Sequence, residues 1–451
     1  MTAWALPLLI FCGSAPAAGA SRQEPPDQAE RLSQEGRHDP KNFEAWLARG
    51  RLLRQEGKSS EAENALKKAL ALTPDAPEAE DELTAIYYDM GRFEEAVRLL
   101  KDRIEKKPRE YSLYSQLART YIRLGRSAEA KDTFARAKKI DDKMAYIDEG
   151  YFYLHSGRPV EARADFESAV AVDTASPFGY HHMGAYLSGI RRYPEAEKYF
   201  RRALEKLEAD PKMPAKNLVH TLQWLGDAVK AQGRYAEAEA VYREALGKAQ
   251  PGDDSQLYLL HSLADLYASL GKSAQAEETY QRAAAVCAVR FKCRFLFAAS
   301  VQIDLGEFYL GQGRRAEAEA AARRAEKASE DIPIGQGFAV LGNFAAFYAQ
   351  LGDAPKEAAL YARLMPMRRA MPFNPELVWV EKGLAGMDAA QGRFGAAENH
   401  YRRAIGILEH NGSWKEEADA LDRLAAIREK EDKRTSAAEA REQAKALRAR
   451  P

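Results

Sequence analysis

Small, large and turn-forming residues recur along this chain in a fixed order. Between Trp46 and Pro74, Gly50 is small, Leu53 is large and Gly57 breaks the run; Ala62, Leu66 and Ala69 then repeat small, large, small. The same order returns thirty-four residues on as Thr84, Tyr87, Gly91, Ala96, Leu100 and Pro108. It returns again as Ala118, Tyr121, Gly125, Ala130, Phe134 and Ala137. Gly150, Gly157, Ala162, Phe166 and Ala169 follow, and then Gly184, Ala196, Phe200 and Ala203, with Arg191 at the place of the glycine. Six further segments keep the order at a longer interval, around Gly226, Ala264, Gly306, Ala345, Ala385 and Ala425. In the last, Asp432 replaces the turn glycine and the segment is very polar, as expected of a capping unit.

Each position has a physical reason. Two helices that cross closely need a small residue at the contact and a large one filling the space beside it. Glycine between them permits the left-handed backbone that ends the first helix. Proline cannot continue a helix and closes the second. The pattern therefore predicts about eleven helix hairpins in tandem, which is an internal repeat.

On these residues the chain resembles the tetratricopeptide repeat family from about Phe43 to Leu447. The resemblance implies an all-α fold, an α-solenoid of about eleven hairpins wound as a right-handed superhelix. The units from Gly226 onward, with Leu305-Gly306-Glu307-Phe308-Tyr309 and Leu341-Gly342-Asn343-Phe344-Ala345, are similar to the kinesin-light-chain type of repeat. Their extra residues should lengthen helices or loops. The expected organisation is an N-terminal array over 43–206, a joint over 207–218 containing Pro211 and Pro214, and a C-terminal array over 219–447. Residues 21–42 read either as a lone packing helix or as a disordered leader.

Composition agrees with helices and narrows the partner. Lys plus Arg equals Asp plus Glu, 67 each. A chain without basic excess is not expected to hold nucleic acid, since phosphate binding needs a basic stripe. Residues 1–20 carry no charged side chain and run from an apolar stretch into Ala18-Gly19-Ala20, which reads as a secretory signal peptide. The expected compartment is therefore outside the cytoplasm, periplasmic or secreted, in a bacterial host. No later segment is apolar enough to span a membrane. Past the signal two cysteines remain, Cys287 and Cys293. They form either a disulfide across a turn, in an oxidising compartment, or two separately buried thiols.

A search for chemistry yields little. Gly57-Lys58-Ser59 and Gly271-Lys272-Ser273 lack the upstream glycine of a phosphate loop and fall on turns between helices. The motifs of zinc peptidases, serine hydrolases and paired thiols are absent. No catalytic residue, cofactor or metal is expected. Asn411-Gly412-Ser413 fits a glycosylation acceptor in a host that glycosylates.

The resemblance implies that the first helix of each hairpin lines a groove, through positions three and six before the small residue and one, four and five after it. This places Arg51, Arg54, Asp81, Tyr88, Asp89, Arg119, Arg123 and Tyr151 on the groove's N-terminal half. His155, Phe178, His181, His220, Gln223, Asp227, Lys230, Tyr258, His261 and Asp265 line its middle, and Trp379 and Lys382 stand near its end. Tyr, Trp and Arg carry much of the energy of protein interfaces. The histidines form a ladder spaced too widely for one metal ion; a pH-sensitive groove and simple polar contact are the two readings. Arg51, Ala85 and Arg119 stand where the peptide-carboxylate-binding members of the family carry asparagines, so that specificity is not expected. The function expected is a non-catalytic scaffold binding a peptide or partner surface. The alternative is a structural subunit of a cell-envelope or secretion assembly that associates with copies of itself or its neighbours.

Overall fold

The computed structural model describes residues 42–55, 58–155, 158–251, 254–289, 295–330, 338–365, 377–411 and 413–449. The expected signal peptide, all of the leader but its last residue, and Cys293 lie outside them. Twenty-two helices and no strand occur among the described residues. They run as eleven consecutive pairs, so odd numbers label first helices and even numbers second helices. The pairs are α1 Phe43–Gln55 with α2 Ser59–Leu72, α3 Pro77–Asp89 with α4 Phe93–Lys106, and α5 Tyr111–Arg123 with α6 Ser127–Ala137. Next are α7 Asp142–His155 with α8 Pro159–Val172, α9 Pro177–Gly189 with α10 Tyr193–Ala209, and α11 Ala215–Ala231 with α12 Tyr235–Lys248. Then come α13 Asp254–Ser269 with α14 Ser273–Val289, α15 Phe295–Gly311 with α16 Arg315–Ser329, and α17 Phe338–Leu351 with α18 Ala354–Leu364. The last are α19 Leu377–Ala390 with α20 Phe394–Asn411, and α21 Trp414–Lys430 with α22 Arg434–Arg448.

The described residues divide into two compact units between Ile140 and Asp141. The first holds 42–140, together with 338, 339 and 363–365; the second holds the remainder. The segment around Pro211 and Pro214 is a short loop inside the second unit, between α10 and α11.

One turn joins the helices of most hairpins. The Arg92 amide donates to the Tyr87 carbonyl at 2.8 Å, six residues spanned, and the Arg126 amide does the same to Tyr121 at 2.9 Å. Such a turn needs one residue with left-handed backbone, and Gly91 and Gly125 supply it at φ of 68° and 71°. Where the sequence lacks glycine, the geometry holds nonetheless: Arg191 sits at φ 62° and Asp432 at φ 60°, each at a cost of about 1 kcal/mol. The Gly271-Lys272-Ser273 stretch is this same turn, and Lys272 is committed to Glu239 at 3.2 Å.

Inside each hairpin the small residue of the first helix meets the large residue of the second. A methyl group added at Gly226 would lie 2.5 Å from the Tyr242 ring, and one at Gly184 2.7 Å from Phe200. The eighth hairpin solves this differently. Its second helix supplies only Ala322 at the large position, and Phe347 of the next hairpin fills the space against Gly306 instead. The longer interval of the later hairpins lengthens their helices, since α11 and α15 have 17 residues where α1 and α5 have 13.

Successive hairpins are also tied by charge. The basic residue after the turn lies over the tyrosine that ends the first helix and reaches a glutamate of the preceding hairpin. Arg92 does so with Tyr87 and Glu63, the ion pair being 2.7 Å. Arg314 repeats it with Tyr309 and Glu277, again at 2.7 Å, and Lys272 with Tyr267 and Glu239. Exposed pairs of this kind contribute little singly, and their value is in fixing register.

Candidate functional site

The expected residues all lie on first helices, and their surroundings are described for each unit separately. In the first unit, Arg51 pairs with Glu82 at 3.0 Å, while Arg54 pairs with Glu82 at 3.1 Å and Asp89 at 2.8 Å. The Tyr88 hydroxyl donates to the Gln116 carbonyl at 3.2 Å and also contacts the Thr120 hydroxyl. Asp81 turns toward its own hairpin and pairs at 2.7 Å with Arg103, a buried second-helix guanidinium that also pairs with Glu80. Arg119 and Arg123 are half-buried on α5.

The second unit builds two different stretches. The first is aromatic and imidazole. The Tyr151 hydroxyl lies 2.9 Å from His182 Nδ1, and the Tyr151 ring packs edge-on to Phe166. His181, 8% exposed, bonds through Nδ1 to Thr221 Oγ1 at 3.1 Å, and its ring lies 4.9 Å from that of His220. Trp224 donates from its indole nitrogen to His220 Nε2 at 3.1 Å. Phe178 packs against the same core. Burial holds the three imidazoles neutral: His182 and His220 are pushed down to about 4, and His181 well below its usual range. The side chain of His155 lies outside the described residues.

The next stretch is charged. Asp227 accepts from the Tyr242 hydroxyl at 2.5 Å, and Asp265 accepts from Tyr280 at 2.7 Å, the same aspartate–tyrosine spacing in consecutive hairpins. Burial raises the Asp227 carboxyl above its usual range. Lys230 lies 3.7 Å from Asp265. His261 pairs with Asp304 at 2.6 Å; burial opposes its charge, yet the neighbouring carboxylate raises it to about 9. Glu307 accepts from Gln350 at 2.9 Å. The Tyr258 ring stands edge-on to Phe297 at 4.2 Å, and Gln223 is half-buried. Further along, Trp379 is 58% exposed on α19, with Lys382 half-buried beside it.

Spacing rules missed one position that matters. Glu82, His182, Trp224 and Asp304 each stand two residues before a small residue, where no groove side chain was expected. Three of them reach the preceding first helix: Glu82 to Arg51, His182 to Tyr151 and Asp304 to His261. The first two pairs share a separation of thirty-one residues, a signal present in the sequence. Among the described residues, the carboxylates of Asp75, Glu80 and Asp102 come closest to a metal-binding trio, but Lys106 already bridges Asp75 and Asp102 at 2.6 Å each. Cys287 is held as a disulfide at the edge of a small cluster with Leu257. None of the described helices is long and apolar enough to cross a membrane.

Four family models, each described as tetratricopeptide repeat, match residues 27–151, 180–209, 217–289 and 299–324. Cellulose synthase operon protein C of Xanthomonas axonopodis pv. citri is 24% identical over 384 residues, 79% of this chain. That alignment takes in 23% of the relative, so this chain spans less than a quarter of its length. Among solved structures, PilW, a type IV pilus biogenesis factor, is 22% identical with a TM-score of 0.39, over 48% of this chain and 92% of PilW. Kinesin light chain repeats from Podosopora anserina are 17% identical with a TM-score of 0.36, over 41% of this chain and 94% of theirs.

Proposed function

Because the chain belongs to the tetratricopeptide repeat family, we propose that it is a non-catalytic scaffold that binds a protein or peptide partner along its first-helix face. The observation that carries this reading is Trp379, 58% exposed on a first helix and next to Lys382. Tryptophan is among the residues that dominate binding energy at protein interfaces. The polar strip supports it. Lys230–Asp265, His261–Asp304 and Glu307–Gln350 tie consecutive first helices into one pre-ordered surface, which lowers the entropy lost on binding. Export to the periplasm or beyond remains part of the proposal, resting on residues 1–20 and on a bacterial relative from a cellulose synthase operon.

The second reading is a structural subunit of an envelope assembly, built through second helices. Val160 on α8 and Tyr235 on α12 favour it, being exposed apolar side chains on that opposite set. Cross-linked recovery of partners from the native host separates the two. One protein would carry Trp379→Ala with Lys382→Glu, another Val160→Glu with Tyr235→Glu. Loss of a specific partner with the first alone supports the groove scaffold. Loss with the second alone, or recovery of copies of the chain itself, replaces it by the assembly subunit.

A further inference from the structure

Three imidazoles from two neighbouring first helices meet at the joint between the fifth and sixth hairpins, and their hydrogen bonds leave little freedom in where the protons sit. An indole nitrogen only donates, so His220 Nε2, which accepts from Trp224, carries no proton. The Thr221 hydroxyl gives its own hydrogen to the Asn217 carbonyl at 2.8 Å, so Thr221 Oγ1 accepts from His181 Nδ1. His181 lies ring against ring with His220, 4.9 Å between centroids, and with His182, 5.2 Å. Trp224 stands edge-on to both His181 and His220.

We propose that this cluster is an acid-sensitive joint, which opens between α9 and α11 when His220 takes up a proton. Protonated His220 Nε2 would point an N–H at the Trp224 N–H, so one ring must swing away. A second proton, on His181, would put like charges about 5 Å apart in a buried site. The groups facing the cluster offer little relief. From α7 come Tyr151 and the Asp148 carboxylate, which acts on His182. From α10 comes the Phe200 ring, and from α11 Thr221 and Trp224. The consequence is regulatory: a shift toward acid would loosen the first-helix face at one joint while the charged stretch beyond it stays intact. The joint exists whatever that face binds, so the test uses no ligand and its outcome is independent of the binding proposal.

The test is hydrogen exchange by mass spectrometry on the full chain, corrected for intrinsic rates, from about pH 7 to about pH 4.5, with tryptophan fluorescence alongside. Peptides over 177–231 are expected to lose protection by up to about tenfold per pH unit for each imidazole involved. Peptides over 414–448 should change far less. His220→Gln should flatten the pH response of 177–231 and abolish a fluorescence step that Trp224→Phe also removes. Trp224→Phe, which removes the N–H opposing a proton on His220 Nε2, should move the loss of protection to lower pH and serves if His220→Gln fails to fold. A loss spread evenly over the chain overturns the proposal, as does a local loss unchanged in both variants.

Discussion

His261 Nε2 lies 2.6 Å from Asp304 Oδ2, joining the first helices of two consecutive hairpins through side chains forty-three residues apart. Asp304 is buried, 8% exposed, while His261 keeps partial access to water. The pair both neutralises a buried carboxylate and sets the approach of α13 to α15.

Replacing Asp304 by Asn should therefore destabilise the protein by about 2–4 kcal/mol near neutrality, since His261 would lose its counter-charge. The pH dependence has a definite sign. His261 is raised to about 9, above its unfolded value, so its contribution is full below about pH 6.5 and is lost as pH rises through about 9. The difference between wild type and Asp304→Asn, measured by urea unfolding, should shrink between about pH 7 and about pH 10. A difference that stays constant over that range would show that the pair is not ionised.

Arg191 and Asp432 occupy the left-handed turn position that glycine fills in most other hairpins. Arg191→Gly should stabilise the fold by about 0.5–1 kcal/mol, because the strain relieved exceeds the extra freedom glycine gives the unfolded chain. Gly125→Ala, at φ 71°, should destabilise by a similar amount. Chemical denaturation of the two variants side by side checks both signs.

Two helical glycines should respond in opposite ways to a single methyl group. Gly226→Ala forces a methyl to within 2.5 Å of the Tyr242 ring and should cost about 1–3 kcal/mol. Gly247, in α12, has no atom within 4 Å of its added methyl, and Gly247→Ala should stabilise by up to about 1 kcal/mol. Thermal melts of the two variants would reject this account if both fell equally.

Cys287 is in disulfide form, and we propose Cys293, six residues on, as its partner. Non-reducing peptide mapping of exported protein should recover the two in one linked fragment. Alkylation of both thiols before any reductant is added would instead mean two separate cysteines.

The repeat itself was legible in the amino-acid order alone. Small residues at Gly226 and Ala264, large ones at Tyr242 and Tyr280 and glycines at the turns are local demands of helix crossing and helix termination, and local demands leave a local trace. At Arg191 the register marked the turn, but the left-handed backbone of the arginine was not legible, because hydrogen bonds across the hairpin hold a conformation that arginine's own preference opposes. Nor was the filling of Gly306 by Phe347, since a void left by Ala322 can be closed from any neighbour that reaches it. On the candidate face, spacing put His181, His220 and His261 on successive first helices. Only the tertiary structure decided that desolvation holds the first two neutral while the third is charged against Asp304. Proton affinity depends on burial and on the charge across the joint, and both are set by the approach of helices some forty residues apart in the chain.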